Sequence, residues 1–244
     1  MKYLVILLII SIEIFANIGK ITLLKGSATI TRGNATYNAK LGSIINSTDK
    51  IDTYKKSRLK IILNDDTTLT LGANTEYIID SYDDKNNPHL KTTLLSGLLT
   101  TISGKIGKIA PHKFKLKTRT SIIGIRGTKW KTFVGEKSEN SVCLEGAITI
   151  KKENKRFDIP AGYMLLTKDG VSRRFKTNMR FFNSLIMKAQ SKQKIKLLPK
   201  LITPQNKSNK IQIKNSKIST DVKVKNVNIS KNGSAKVGNI DIEK

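Results

Sequence analysis

From Lys20 to about Phe175, apolar side chains recur at every second position, the period of a strand with one buried face. Ile21-Thr-Leu23, Ala28-Thr-Ile30, Leu59-Lys-Ile61-Ile-Leu63, Leu69-Thr-Leu71 and Tyr77-Ile-Ile79 follow it. So do Leu94-Leu95 with Leu98-Leu99, Phe114-Lys-Leu116, Val142 to Ile150, and Met164 to Leu166. Turn-forming residues separate the runs: Lys25-Gly26, Arg32-Gly33-Asn34, Asn64-Asp65-Asp66, Gly72-Ala73-Asn74, Asp83 to Pro88 and Lys168-Asp169-Gly170. Many short strands at roughly 8–12-residue spacing predict an all-β domain, an antiparallel-rich β-sandwich or β-roll. No helical period of useful length precedes Val171, which argues against a parallel α/β fold, whose crossovers need helices.

The stretch Thr118 to Thr128 is the densest part of the pattern. Ile122, Ile123 and Ile125 are interrupted by Gly124 and closed by Gly127-Thr128, and Trp130, Thr132 and Val134 then alternate. Glycine inside a strand pattern marks a bulge or a close backbone approach. The expectation is two short buried strands joined at a tight corner, with Arg126 projecting at the bend and Trp130 in the core. Arg126 would clamp a backbone carbonyl or a carboxylate with its planar donor fork, or else contact a ligand.

The texture changes after Val171. Phe175, Met179, Phe182, Ile186 and Ala189 recur at helical spacing, and Arg173, Arg174, Lys176, Arg180 and Lys188 fall on the other side. This predicts an amphipathic helix over 173–198, ended by Pro199 and Pro204. It would either dock on the β domain or lie on an anionic surface through those five cations. Residues 199–244 form a basic, low-complexity tail too poor in apolar residues for a core of its own, expected to be largely disordered. Within it Ile211–Ser219 and Val222–Ser230 match weakly at an offset of eleven.

Charge sharpens this division. The 244-residue chain carries a formal net charge of +27. From residue 172 on there are 18 basic and 3 acidic residues, against 27 and 15 before it. Such a field attracts anionic glycans, anionic lipid or nucleic acid, although a Lys- and Asn-rich composition also yields it without any partner.

At the other end, Lys2, the apolar run Tyr3 to Ile12 and the small Ala16 have the form of a secretory signal peptide over residues 1–16. The run is short for a membrane span, so a periplasmic or secreted protein is expected, with an uncleaved anchor as the alternative. Export argues against a nucleic-acid partner. The single cysteine, Cys143, excludes an intrachain disulfide and reads as a small buried hydrophobe.

No catalytic constellation emerges. His89 and His112 each follow a proline, in loops, with no second histidine or cysteine at metal-ligand spacing. There is no Gly-x-Ser-x-Gly elbow, and Gly104-Lys-Ile-Gly-Lys-Ile lacks the length and hydroxyl of a phosphate loop. Asp65-Asp66 and Asp83-Asp84 read as turns; two adjacent carboxylates alone do not complete a Ca²⁺ shell. A non-enzyme without metal or cofactor is the expectation.

The spelling Ser121-Ile-Ile-Gly-Ile-Arg-Gly-Thr128, with Glu145-Gly-Ala-Ile-Thr-Ile150 and Pro160-Ala-Gly162 after it, resembles the FecR family domain. Gly26 to Gly33, Asp49 to Thr53, Ser57, Ile61 to Thr67, Leu71, Thr75 and Leu95 to Leu98 fall in the same family rhythm. The resemblance thus covers a domain at 18–172. On it the structural motif comprises Gly124, Arg126, Gly127, Thr128, Glu145, Gly146 and Gly162. Two departures are Asp66 in place of a turn glycine and Arg119 in place of a proline. The resemblance implies an interaction module of the periplasm that senses an envelope protein or outer-membrane component and relays to a sigma factor. Only Met1 and Lys2 precede the apolar run, so the sigma-regulating cytoplasmic tail of long family members is not expected here, and a basic tail stands where their receptor-contacting domain would be. The alternative function is an envelope scaffold that binds anionic glycan or lipid surfaces through its basic tail.

Overall fold

The computed structural model describes residues 17–192, with side chains through Gln190. The predicted signal segment and the basic tail lie outside the described residues. The strands are β1 (Asn17–Lys25), β2 (Ala28–Arg32), β3 (Ala35–Asn38), β4 (Ile44–Asn46), β5 (Lys50–Thr53), β6 (Arg58–Leu63), β7 (Thr68–Leu71) and β8 (Glu76–Asp83). They continue with β9 (His89–Ile102), β10 (Phe114–Lys117), β11 (Ile122–Val134), β12 (Ser138–Lys152), β13 (Lys155–Pro160), β14 (Tyr163–Lys168) and β15 (Val171–Lys176). A short helical turn, α1 (Ile106–Ile109), precedes β10, and α2 (Met179–Lys192) follows β15.

All fifteen strands are hydrogen-bonded into one sheet, antiparallel except for the pair β9–β10. The predicted all-β, antiparallel-rich architecture is therefore what the chain builds. Three long strands organise it, because each changes neighbours part-way along. The first half of β9 lies between β8 and β10, and its second half between β7 and β11. The first half of β11 pairs with β10, and its second half with β9. The second half of β12 pairs with β13, and its first half with β14.

The long strands thereby connect two layers. One runs β13-β12-β11-β10-β9-β8-β5-β2-β3, and the other β15-β14-β12-β11-β9-β7-β6-β1-β4. Their inner faces share one apolar core. Ile30, Ile51, Tyr77, Leu90, Phe114, Ile123 and Ile148 come from the first layer, and Ile21, Ile61, Leu71, Leu99, Trp130 and Cys143 from the second. The strict alternation of exposed and buried positions in Phe114–Lys117 and Arg58–Leu63 is the two-residue period made visible.

At each change of neighbours stands a glycine with positive φ: Gly97 at +93°, Gly127 at +55° and Gly146 at +73°. This backbone region penalises any Cβ. At Gly146 a Cβ would also lie 2.0 Å from the Gly127 carbonyl oxygen, and at Gly97 it would lie 2.4 Å from Thr75. At Gly97 and Gly146 there is no room for a side chain, whereas at Gly127 nothing lies within 4 Å of an added Cβ.

Two expectations are corrected. Residues 122–134 are one strand with a bulge at Arg126–Lys129, not two strands meeting at a corner. The helix begins at Met179, not at residue 173. Arg173, Arg174, Phe175 and Lys176 instead extend β15, paired antiparallel with β14.

Candidate interaction surfaces

The motif residues sort by what they touch. Thr128 is buried beside the crease. Its backbone N–H donates to Ser103 Oγ at 2.9 Å, and its carbonyl accepts from Ser103 N at 3.0 Å. Gly162, with φ of +82°, turns the chain between β13 and β14; it donates to the Cys143 carbonyl and accepts from Thr177 N. Glu145 is exposed and pairs with Lys129 at 3.3 Å, a solvated contact of little energetic weight. Gly124 lies flat on the outer face of β11, where an added Cβ would meet nothing within 4 Å.

Arg126 is exposed, and no clamp forms around it among the described residues. The clamping arginine is Arg119. Its Nη2 donates to the carbonyls of Gly135 and Glu136, fastening the β11–β12 turn to the Thr118–Ser121 turn. That second turn is itself held by Glu139, a buried carboxylate accepting from the Thr118 and Thr120 hydroxyls at 2.8 and 2.6 Å. Sequence reasoning weighted Arg126 for its glycine neighbours and passed over Arg119, whose flanking threonines were the available signal.

Asp65 acts as an internal staple. Its carboxylate accepts from Thr67 N, Thr67 Oγ1 and Ile106 N, tying the β6–β7 turn to the β9–β10 crossover. Burial, and then the negative charge of Asp65, push the Tyr82 phenol well above its ordinary range. Asp83 caps its own loop by accepting from the N–H groups of Lys85, Asn86 and Asn87, which lowers its pKa. Both acidic pairs thus serve turns. Among the described residues no group of three or more His, Cys, Asp or Glu could hold a metal ion. Cys143 is buried, and burial raises its thiol pKa. His112 is exposed in a helical turn, whereas His89 opens β9, half-buried, with Nδ1 2.7 Å from the Asn87 carbonyl.

The outer faces of the two layers differ. On the second layer Phe133, Val142 and Met164 project outward and are covered by Phe182 and Ile186 of α2. Docking is therefore the role of the apolar helix face, and Arg180 and Lys188 lie on its exposed side. Beside the helix a groove of about 550 Å³ is lined by Glu136, Lys137, Leu166, Phe181, Leu185 and Lys188, among others. On the first layer no helix among the described residues covers the outer face, and over β9–β12 that face carries Lys91, Lys115, Lys117, Arg126 and Lys151.

A family model described as FecR protein matches residues 49–149, from the residue before β5 into β12, so all three crease glycines lie within it. Over residues 49–149 the chain matches the FecR domain. FecR proteins are regulatory rather than catalytic. Two crystal structures of a candidate anti-sigma factor from Parabacteroides distasonis are similar to this chain at 11% and 10% identity, with TM-scores of 0.47 and 0.46. The likeness covers 55% and 56% of this chain and 62% and 63% of theirs, so the chain spans less than two thirds of those proteins' length. No curated protein matches the chain. No helix among the described residues is long and apolar enough to cross a membrane.

Proposed function

We propose that this chain is an exported, non-enzymatic regulatory module of the cell envelope that acts by binding another envelope protein. The match to the FecR family over residues 49–149 carries this reading. Two features add support. The buried polar groups Asp65 and Glu139 are spent on holding turns, as a rigid binding scaffold requires. The residues before Asn17 have the composition of a secretory leader. The groove beside α2 offers a contact surface with apolar and charged side chains together.

The deciding experiment is fractionation with N-terminal sequencing, followed by site-specific photocrosslinking from Phe181 and Leu185 in intact cells. A mature chain starting near Asn17 in the periplasmic fraction, crosslinked to one discrete envelope protein, is the expected result. A full-length chain in the cytoplasm overturns the localisation. Absence of any discrete crosslink at those positions removes the groove from the contact surface.

A second reading rests on the cationic excess from residue 172 on, which suits an anionic envelope polymer or lipid surface. Co-sedimentation with envelope fragments across a salt series separates it. A Coulombic tail loses binding steeply as salt screens it over roughly 8 Å at physiological ionic strength, and deleting 205–244 weakens what remains.

A further inference from the structure

The outer face of the first layer is a basic platform formed where five strands, β9 to β13, lie side by side. Residues paired across strands point to the same side of a sheet. Lys91 pairs with Lys115, which pairs with Gly124, which pairs with Thr149, and Asp158 ends the row. In the next row Thr93 pairs with Lys117, then Ile122, Lys151 and Arg156. The intervening positions, Leu90, Thr92, Phe114, Leu116, Ile123 and Ile150, are buried in the core, so the two rows face outward. Lys115 and Lys117 stand about 6.6 Å apart along β10, and neighbouring strands lie about 4.8 Å apart.

Acidic groups stay at the flanks. Asp80 accepts from Thr93 on the β8 side, and Asp158 pairs with Arg156 on the β13 side. Between them Gly124 leaves a shallow trough, since nothing stands within 4 Å of where its Cβ would be. At one end of the platform His89, Lys91, His112, Lys113 and Lys115 surround a depression of about 290 Å³.

We propose that this platform binds a linear acidic polysaccharide, laid along the trough over Gly124 with its carboxylates on Lys91, Lys115, Lys117 and Lys151. Charge complementarity selects a polyanion. The trough is open and shallow, which suits an extended chain rather than an enclosed small ligand. The Thr93 and Thr149 hydroxyls donate to Asp80 and Asp158 at the flanks, which leaves their oxygens to accept from sugar hydroxyls. No aromatic side chain projects from the two rows, so the base-stacking that single-stranded nucleic acid uses is absent from them. Ile122 is the one large apolar side chain there, too little to insert into a bilayer. These residues are distinct from the basic tail.

The test uses the full chain with polygalacturonate oligomers at low salt. Lys115→Glu with Lys117→Glu should lower affinity roughly tenfold or more, whereas Lys40→Glu with Lys55→Glu, an equal charge change on exposed residues elsewhere, should lower it less than about twofold. Gly124→Val leaves the charge unchanged and fills the trough; it should weaken binding while the melting temperature holds. Bound polygalacturonate should also protect Lys115 and Lys117 from acetylation by an amine-reactive ester, read by mass spectrometry. Equal losses in both charge-reversed pairs, or no protection of the platform lysines, overturns the proposal. So does stronger platform-dependent binding to single-stranded DNA or to phosphatidylglycerol vesicles than to polygalacturonate.

Discussion

The two outer faces of this domain are built from the same strands and treated in opposite ways. β11 and β12 cross from one layer to the other. Beyond the crease at Gly127 and Gly146 they show Phe133 and Val142 outward, and before it Gly124, Arg126, Thr149 and Lys151. The apolar stretch gains a helix, because Phe182 and Ile186 remove it from water. The cationic stretch stays bare, because burying it without counter-charges would cost several kcal/mol per ion. A corner of two glycines thus separates a structural surface from an available one within single strands.

The comparison breaks most sharply at the crease. Gly146→Val places a Cβ against the Gly127 carbonyl in a backbone conformation that disfavours it, and should cost more than about 4 kcal/mol in urea unfolding, or prevent folding. Gly127→Ala meets no neighbour and carries only the left-handed strain, about 1–2 kcal/mol. Phe182→Ala should cost about 3 kcal/mol and act on one surface only. Hydrogen exchange should then rise in Met179–Lys192 while β9 and β11 stay protected. Cys143, on the inner face, should resist a thiol reagent in the native protein and react fully in denaturant, since burial holds its thiol in the protonated form.

The smallest effect concerns Asp158 at the platform's edge. Hydrogen bonds from Thr149 and Arg156 lower its folded pKa. The stabilisation it supplies is therefore present above the unfolded carboxylate pKa and is lost as pH falls through the lower folded value. Asp158→Asn should remove that acid-range dependence and shift the melting temperature only slightly at neutral pH.

Much of this was legible in the chain. Alternation placed Leu59, Ile61, Leu63, Ile123, Ile125, Ile148 and Ile150 inside, because one-sided burial leaves a two-residue period. The division of β9, β11 and β12 between two layers was not legible, since a bent strand and two separate strands give the same local pattern. β15 was missed because this edge strand is mostly exposed along its length, leaving Val171–Lys176 without alternation. Phe175 happens to fall four residues before Met179, so a strand residue imitated the first turn of a helix. The platform was invisible because its lysines come from segments 60 residues apart that only the sheet register aligns.

The central position of β9 also bears on how the molecule comes into being. Its partners are drawn from both sides of the chain: β7 and β8 precede it, and β10 and β11 follow it. Residues 17–88 therefore emerge from the ribosome able to pair only within two groups, β4-β1-β6-β7 and β3-β2-β5-β8, and the joining of those groups must wait for His89–Ile102 and then for β11. Such distant pairings slow folding and keep the nascent polypeptide extended. On the export proposed above, threading through a translocation pore while still unstructured would gain from that delay. A fragment ending at residue 88 should remain unfolded in solution, by circular dichroism and by its sensitivity to protease.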